Sequence, residues 1–203
     1  MNVQPGSEGV IAATRTWLER AVIGLNLCPF AKPFHLNNLI RYFVSDARSL
    51  ARLREDLMAE LRALDAADPA QCETTLLIHP HVLADFSDYN EFLEQADDAV
   101  SELGFEGVIQ VASFHPRYQF EDAGPDAIEN YTNRSPYPML HLLRESSVER
   151  AVTTYPDTTA IYRRNIETLR RLGHEGWRGL WLAEVPQGET LKGTLGAEAA
   201  AVN

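Results

Sequence analysis

The sequence predicts a single α/β layered domain built on a parallel βαβαβ core, with extra helices before and after it. Three observations lead there. Short runs rich in β-branched and aromatic residues occur at 39–44, 73–79 and 107–114. A helix-length amphipathic segment separates each consecutive pair. Connections of that length suit right-handed crossovers between parallel strands, whereas antiparallel neighbours need only a tight turn.

The elements follow in order. From Glu8 to Leu27 apolar residues recur at Val10, Ile11, Trp17, Leu18, Ala21, Val22 and Leu25, a helical stripe that Pro29 ends. After the first strand, Ser45 or Asp46 is placed to cap a long helix with Leu50, Leu53, Leu57, Leu61 and Leu64 inward. Arg48, Arg52, Arg54, Glu55 and Glu60 fall on its solvated side. Asp88 and Glu91 spell a capping box for a helix that buries Phe92, Ala96, Ala99, Val100 and Leu103 and stops at Gly104. Beyond the third strand and a loop at 121–129, short helices are expected from about Pro138 to Glu145 and from Ser147 to Val152. A last helix from Asp157 to Leu172 is closed by Gly173, and the segment 176–184 offers an edge strand. The domain is placed at 1–185, while 186–203 holds too few large apolar residues to bury and is expected to stay unfolded.

Composition narrows the function classes. The chain of 203 residues is 45% hydrophobic and 23% charged, ordinary for one globular domain. A net charge of −11 argues against nucleic acid, which needs a basic face. Lys occurs only at Lys32 and Lys192, so Arg carries the positive charge. No run of 18 apolar residues suggests a membrane span, and no basic and then apolar leader opens the sequence. Cys28 and Cys72 lie far apart, so a reduced, cytoplasmic protein without a structural disulfide is expected. Gly-x-Gly-x-x-Gly after a strand, a Walker loop and Gly-x-Ser-x-Gly are all missing, which removes the usual support for dinucleotide, nucleotide and serine-hydrolase readings.

The densest chemistry lies between Asn130 and Glu145. Asn130, Asn133, Arg134 and Ser135 precede an expected helix start, where free N–H groups and a guanidinium fork suit an anion. His141, Arg144 and Glu145 would share neighbouring faces of that helix, with Glu145 orienting the imidazole. Two strands end in His-Pro, at His79-Pro80 and His115-Pro116, and ligands of parallel sheets gather beyond such strand ends. His115 is therefore the first candidate for acid/base or ligand duty. Cys28, at the C-terminal end of a helix, is a poor nucleophile because the helix dipole raises its pKa. His79, His81, His115, His141 and Cys28, with Glu121, Asp122 or Glu145, include enough donors for a divalent metal, but without any diagnostic spacing.

With these residues in hand, the chain resembles the family catalogued as domain of unknown function 1415. The likeness runs through Trp17-Leu18 with Leu25-Asn26-Leu27-Cys28-Pro29-Phe30, through Ser113-Phe114-His115-Pro116, and through the segments 130–138 and 140–145. It covers roughly Ile11 to Leu172 and implies no activity, cofactor or catalytic residue.

The leading expectation is an enzyme acting on a small anionic metabolite. Asn130, Asn133, Arg134 and Ser135 would cradle the anion, His115 with His141 would move a proton or hold a metal, and Arg144 would neutralise developing charge. Reaction class and cofactor stay open. Two alternatives compete: a non-catalytic module that binds a ligand or partner, and a loop whose Asn, Ser and Thr side chains simply satisfy its own backbone.

Overall fold

Strands β1 (Ile40–Val44), β2 (Thr74–Ile78) and β3 (Ile109–Phe114) form where their β-branched and aromatic content places them. A fourth, β4 (Met139–Arg144), lies between β2 and β3, giving the order β1-β2-β4-β3. The computed structural model describes residues 6–154 and 158–182; the expected tail lies outside them.

The architecture is α/β, but the sheet is mixed. β1 and β2 pair in parallel, as expected, whereas β4 runs antiparallel to both of its neighbours. The crossover from β2 to β3 therefore skips one strand position, and β4 fills it. This corrects the expected helix from about Pro138 to Glu145. Met-Leu-His-Leu-Leu-Arg is a run too short to separate strand from helix by periodicity, and a strand covered on both faces carries apolar residues at successive positions. Leu140 and Leu142 enter one core and Met139 the other, all at 0% exposure.

Helices α3 (Leu50–Ala66) and α4 (Phe86–Glu102) cover the first face. Leu53, Leu57, Leu61 and Leu64 of α3 are fully buried, each worth roughly 1.5–3 kcal/mol of transfer free energy. Leu50 stays exposed. The caps sit elsewhere than expected: Ser49 accepts from the Arg52 N–H and Asp85 from the Ser87 N–H. Ser45 instead donates to Asp56 at 2.6 Å, tying β1 to α3. Glu60, expected in solvent, is buried because Arg41 of β1 reaches it at 2.7 Å.

The opposite face is covered by α1 (Ser7–Trp17), α2 (Ala31–Leu36), α5 (Glu145–Thr154) and α6 (Thr158–Leu182). α1 continues into a π-helical turn, Leu18–Ile23. α6 does not end at Gly173; that residue takes φ 66°, kinks the helix, and the chain resumes helix to Leu182, so the edge strand expected at 176–184 does not form over the described residues.

Tyr89 of α4 fastens the end of the β3–β4 ladder. Its hydroxyl donates to the Met139 carbonyl at 2.8 Å and accepts from the Phe114 N–H at 3.1 Å, and Phe114 and Met139 are cross-strand partners. Tyr89→Phe should leave both backbone groups short of a partner and lower unfolding free energy by about 2 kcal/mol in a urea titration.

Candidate functional site

The face of the sheet under α1, α2, α5 and α6 contains a cavity of about 330 Å³. Its floor follows from the alternation of the strands. Thr74 and Leu76 of β2, His141 and Leu143 of β4, and Gln110, Ala112 and Phe114 of β3 all point to this side. His141 stands opposite Leu76 on one neighbour and Ala112 on the other, and the small Ala112 leaves space above the sheet. The walls come from Trp17, Leu18 and Val22, from Cys28, Phe30, Ala31 and Phe34, and from Val148 and Ile161. The π turn supplies Leu18 and Val22, and such turns recur at functional sites. Among the described residues no Asp, Glu, Lys or Arg lines this space.

His141 is the one imidazole on the floor, beside the polar Thr74 and Gln110. Its Nε2 lies 2.7 Å from Thr74 Oγ1, and the Thr74 hydroxyl donates its one proton to the Leu142 carbonyl at 2.6 Å. The Thr74 oxygen is thus left to accept, so His141 carries its hydrogen on Nε2. Nδ1 has no partner among the described residues and is not sealed by packing, and the residue lines the cavity. Burial among carbon pushes the imidazole pKa down to about 4, so the ring is neutral at physiological pH.

Cys28 borders the same space. Its loop is held to α6 by Asn165, which donates to the Leu27 carbonyl at 2.8 Å, and by Arg164, which donates to Asn26. Burial raises the thiol pKa, an effect that the Phe30 and Ala31 N–H groups only partly offset. Burial, more than the preceding helix, keeps this thiol protonated.

The residues expected to cradle an anion are occupied within their own loop. Asn130 accepts from the Phe120 N–H at 3.0 Å and donates to the Gly124 carbonyl at 2.8 Å. Asn133 donates to the Ser113 carbonyl, and Ser135 to that of Tyr137. Arg134 donates to the carbonyls of Tyr118 and Pro125 and stacks on Tyr131. They precede a strand, so no helix N-terminus gathers its N–H groups beside them. Arg134 and Ser135 do border a shallower hollow of about 400 Å³, with Arg20, Trp177 and Trp181. Trp17 divides it from the cavity and donates through Nε1 to the Arg134 carbonyl at 2.8 Å.

His141, Arg144 and Glu145 do not share a face, because the strand alternates. Arg144 projects to the far side, where it donates to the Leu64 and Ala67 carbonyls at the end of α3. Glu145 begins α5. His79 and His115 do share one rim, both packed against the Tyr89 ring at 5.9 and 5.0 Å between centroids. His115 donates from Nε2 to the Leu83 carbonyl and accepts at Nδ1 from the Arg117 N–H, so both nitrogens hold the loop. Burial lowers its pKa and takes that of His79 to about 4. Among the described residues no three His, Cys, Asp or Glu side chains gather where they could hold a metal ion.

Residues 9–179 match the model of a family described as Protein of unknown function (DUF1415). The chain belongs to this family. The match spans the whole sheet, the cavity and both His-Pro strand ends. No curated protein and no solved structure matches the chain. No helix among the described residues is long and apolar enough to cross a membrane.

The sequence points to His141 but on a helix, and it gives Trp17 within a helical stripe and Phe114 at the end of a strand. Gln110, Ala112 and Thr74 carry no signal, since what they do depends on their cross-strand neighbours.

Two outcomes follow. Asn130→Ala should lower unfolding free energy by roughly 1–3 kcal/mol, measured by denaturant titration, because two loop backbone groups lose their partner. His79 and His141 have folded pKa values near 4, below the ordinary 6.5, so the unfolded chain binds their protons first. Their contribution is full above pH 6.5 and is lost as pH falls towards 4, at about 1 kcal/mol per pH unit for each ring. NMR titration should find both neutral at pH 5.5.

Proposed function

We propose that the protein is a non-catalytic binder of small, largely apolar, uncharged molecules, which occupy the cavity between the sheet and α1, α2, α5 and α6. The observation that carries this is a space of about 330 Å³ without a charged side chain on its walls. That volume lies in the range of small-molecule sites, and an apolar void of roughly 150 Å³ already takes up benzene. A bound carboxylate or phosphate would lose its hydration there with no cation to replace it. Chemistry has little support: the His141 pKa is too low for a general base at neutral pH, and the Cys28 thiol is held protonated.

Toluene is the direct probe. Its titration should raise the melting temperature of the wild type, and Ala112→Leu, which fills the floor, should weaken binding at least tenfold while the circular dichroism spectrum is kept. A wild type indifferent to saturating toluene, or an Ala112→Leu protein that binds it equally, would contradict the proposal.

A second reading keeps the enzyme and its anionic metabolite and moves them to the outer hollow, where Arg134 and Ser135 meet Arg20. Its cost is that Arg134 and Ser135 already serve loop carbonyls, and Arg20 donates to the Leu180 carbonyl at 2.7 Å. Inorganic phosphate should then perturb the Arg20 and Arg134 guanidinium resonances; silence at millimolar phosphate removes this reading.

A further inference from the structure

Resting on the cavity as the binding site, we infer that its ligand is a neutral hydroxyl compound of one or two rings, whose O–H donates to Nδ1 of His141. The argument begins with where the protons are. Thr74 commits its hydroxyl hydrogen to the Leu142 carbonyl, which obliges His141 to present its own hydrogen at Nε2 and leaves Nδ1 as a bare acceptor. This acceptor sits in a floor whose other side chains are Thr74, already committed to Leu142, the uncharged Gln110, and Leu76, Ala112, Phe114 and Leu143. A buried acceptor left unpaired carries its desolvation cost uncompensated. A ligand that brings a donor offsets that cost, and one that brings only carbon or a second acceptor does not.

The class narrows further on charge and shape. A carboxylate would set an anion against a lone pair in a space without a cation, doubly unfavourable. An ammonium would be desolvated with no carboxylate to meet it. A hydroxyl provides a donor with no net charge. Trp17, Phe30, Phe34 and Phe114 surround the space with aromatic faces and edges, and Trp17 and Phe114 already meet edge to face at 5.3 Å. Flat rings complement such walls. Neutralising the lone pair by protonation is closed at physiological pH, since the ring stays neutral down to about pH 4.

The test compares three molecules built on one methylphenyl ring, toluene, p-cresol and p-methylbenzoate, by calorimetric titration at pH 7 against the wild type, His141→Leu and Thr74→Val. The wild type should bind p-cresol about tenfold more tightly than toluene, the ratio that ~1.4 kcal/mol represents. p-Methylbenzoate should bind more weakly than either. His141→Leu, of similar bulk, should bind toluene and p-cresol equally. Thr74→Val removes the lock on the tautomer and should shrink the preference; it serves as the second variant should His141→Leu not fold. In the wild type, the ¹⁵N resonance of His141 Nδ1 should move on adding p-cresol and stay with toluene. If toluene and p-cresol bind the wild type equally, or if p-methylbenzoate matches p-cresol, the inference is overturned while the cavity remains a binding site. If none of the three binds, both fall together.

Discussion

The pairing of β4 between β2 and β3 is the constraint on which the rest depends. A strand hydrogen-bonded along both edges and covered on both faces leaves no side chain of its six residues free to face solvent at large. Each must suit the layer it enters. Leu140 and Leu142 fill the space under α3 and α4, and Arg144, on the same side, finds the carbonyls at the end of α3. Met139 packs beneath the other helical layer, while His141 and Leu143 meet a region that layer does not fill. One strand thus secures both cores and sets the polarity of the cavity floor.

That floor explains why the histidine there has hydrogen-bond partners different from those of His79 and His115. His79 and His115 lie at strand ends, where loop backbone groups are within reach: a carbonyl of Val82 for one, a carbonyl of Leu83 and an N–H of Arg117 for the other. They fasten the loops beyond the sheet. His141 lies mid-strand, where the backbone is already paired in the ladder, and the Thr74 hydroxyl takes one nitrogen. The other nitrogen is left to the cavity. Three histidines, all with depressed pKa values and all through burial, therefore serve different ends because of what the neighbouring backbone has to offer.

Much of the fold was legible in the sequence because long periodic segments encode their partners. The Leu53, Leu57, Leu61 and Leu64 stripe and the Phe92, Ala96 and Ala99 stripe landed in the core as expected. β1, β2 and β3 lie within a residue or two of their predicted limits. β4 was misread because a short apolar run has no period to betray it, and its position between β2 and β3 is a fact about long-range pairing. The loop from Asn130 to Tyr137 stands out in the sequence for its Asn, Arg and Ser side chains, and in the fold these side chains hydrogen-bond neighbouring backbone groups. The cavity itself could not be read, since it arises where side chains of three strands, the small Ala112 among them, do not meet the helical segments above them. No local pattern records such a gap.

The measurement that tests the central claim most directly is NMR of methyl-labelled protein under xenon pressure, because xenon enters apolar cavities without needing a donor, a charge or a shape. The account predicts saturable shifts concentrated on Leu18, Val22, Leu76, Leu143, Val148 and Ile161, which surround the space. Shifts absent from these methyls, or no greater there than on the α3 leucines Leu53, Leu57 and Leu61 packed solid on the opposite face, would contradict it.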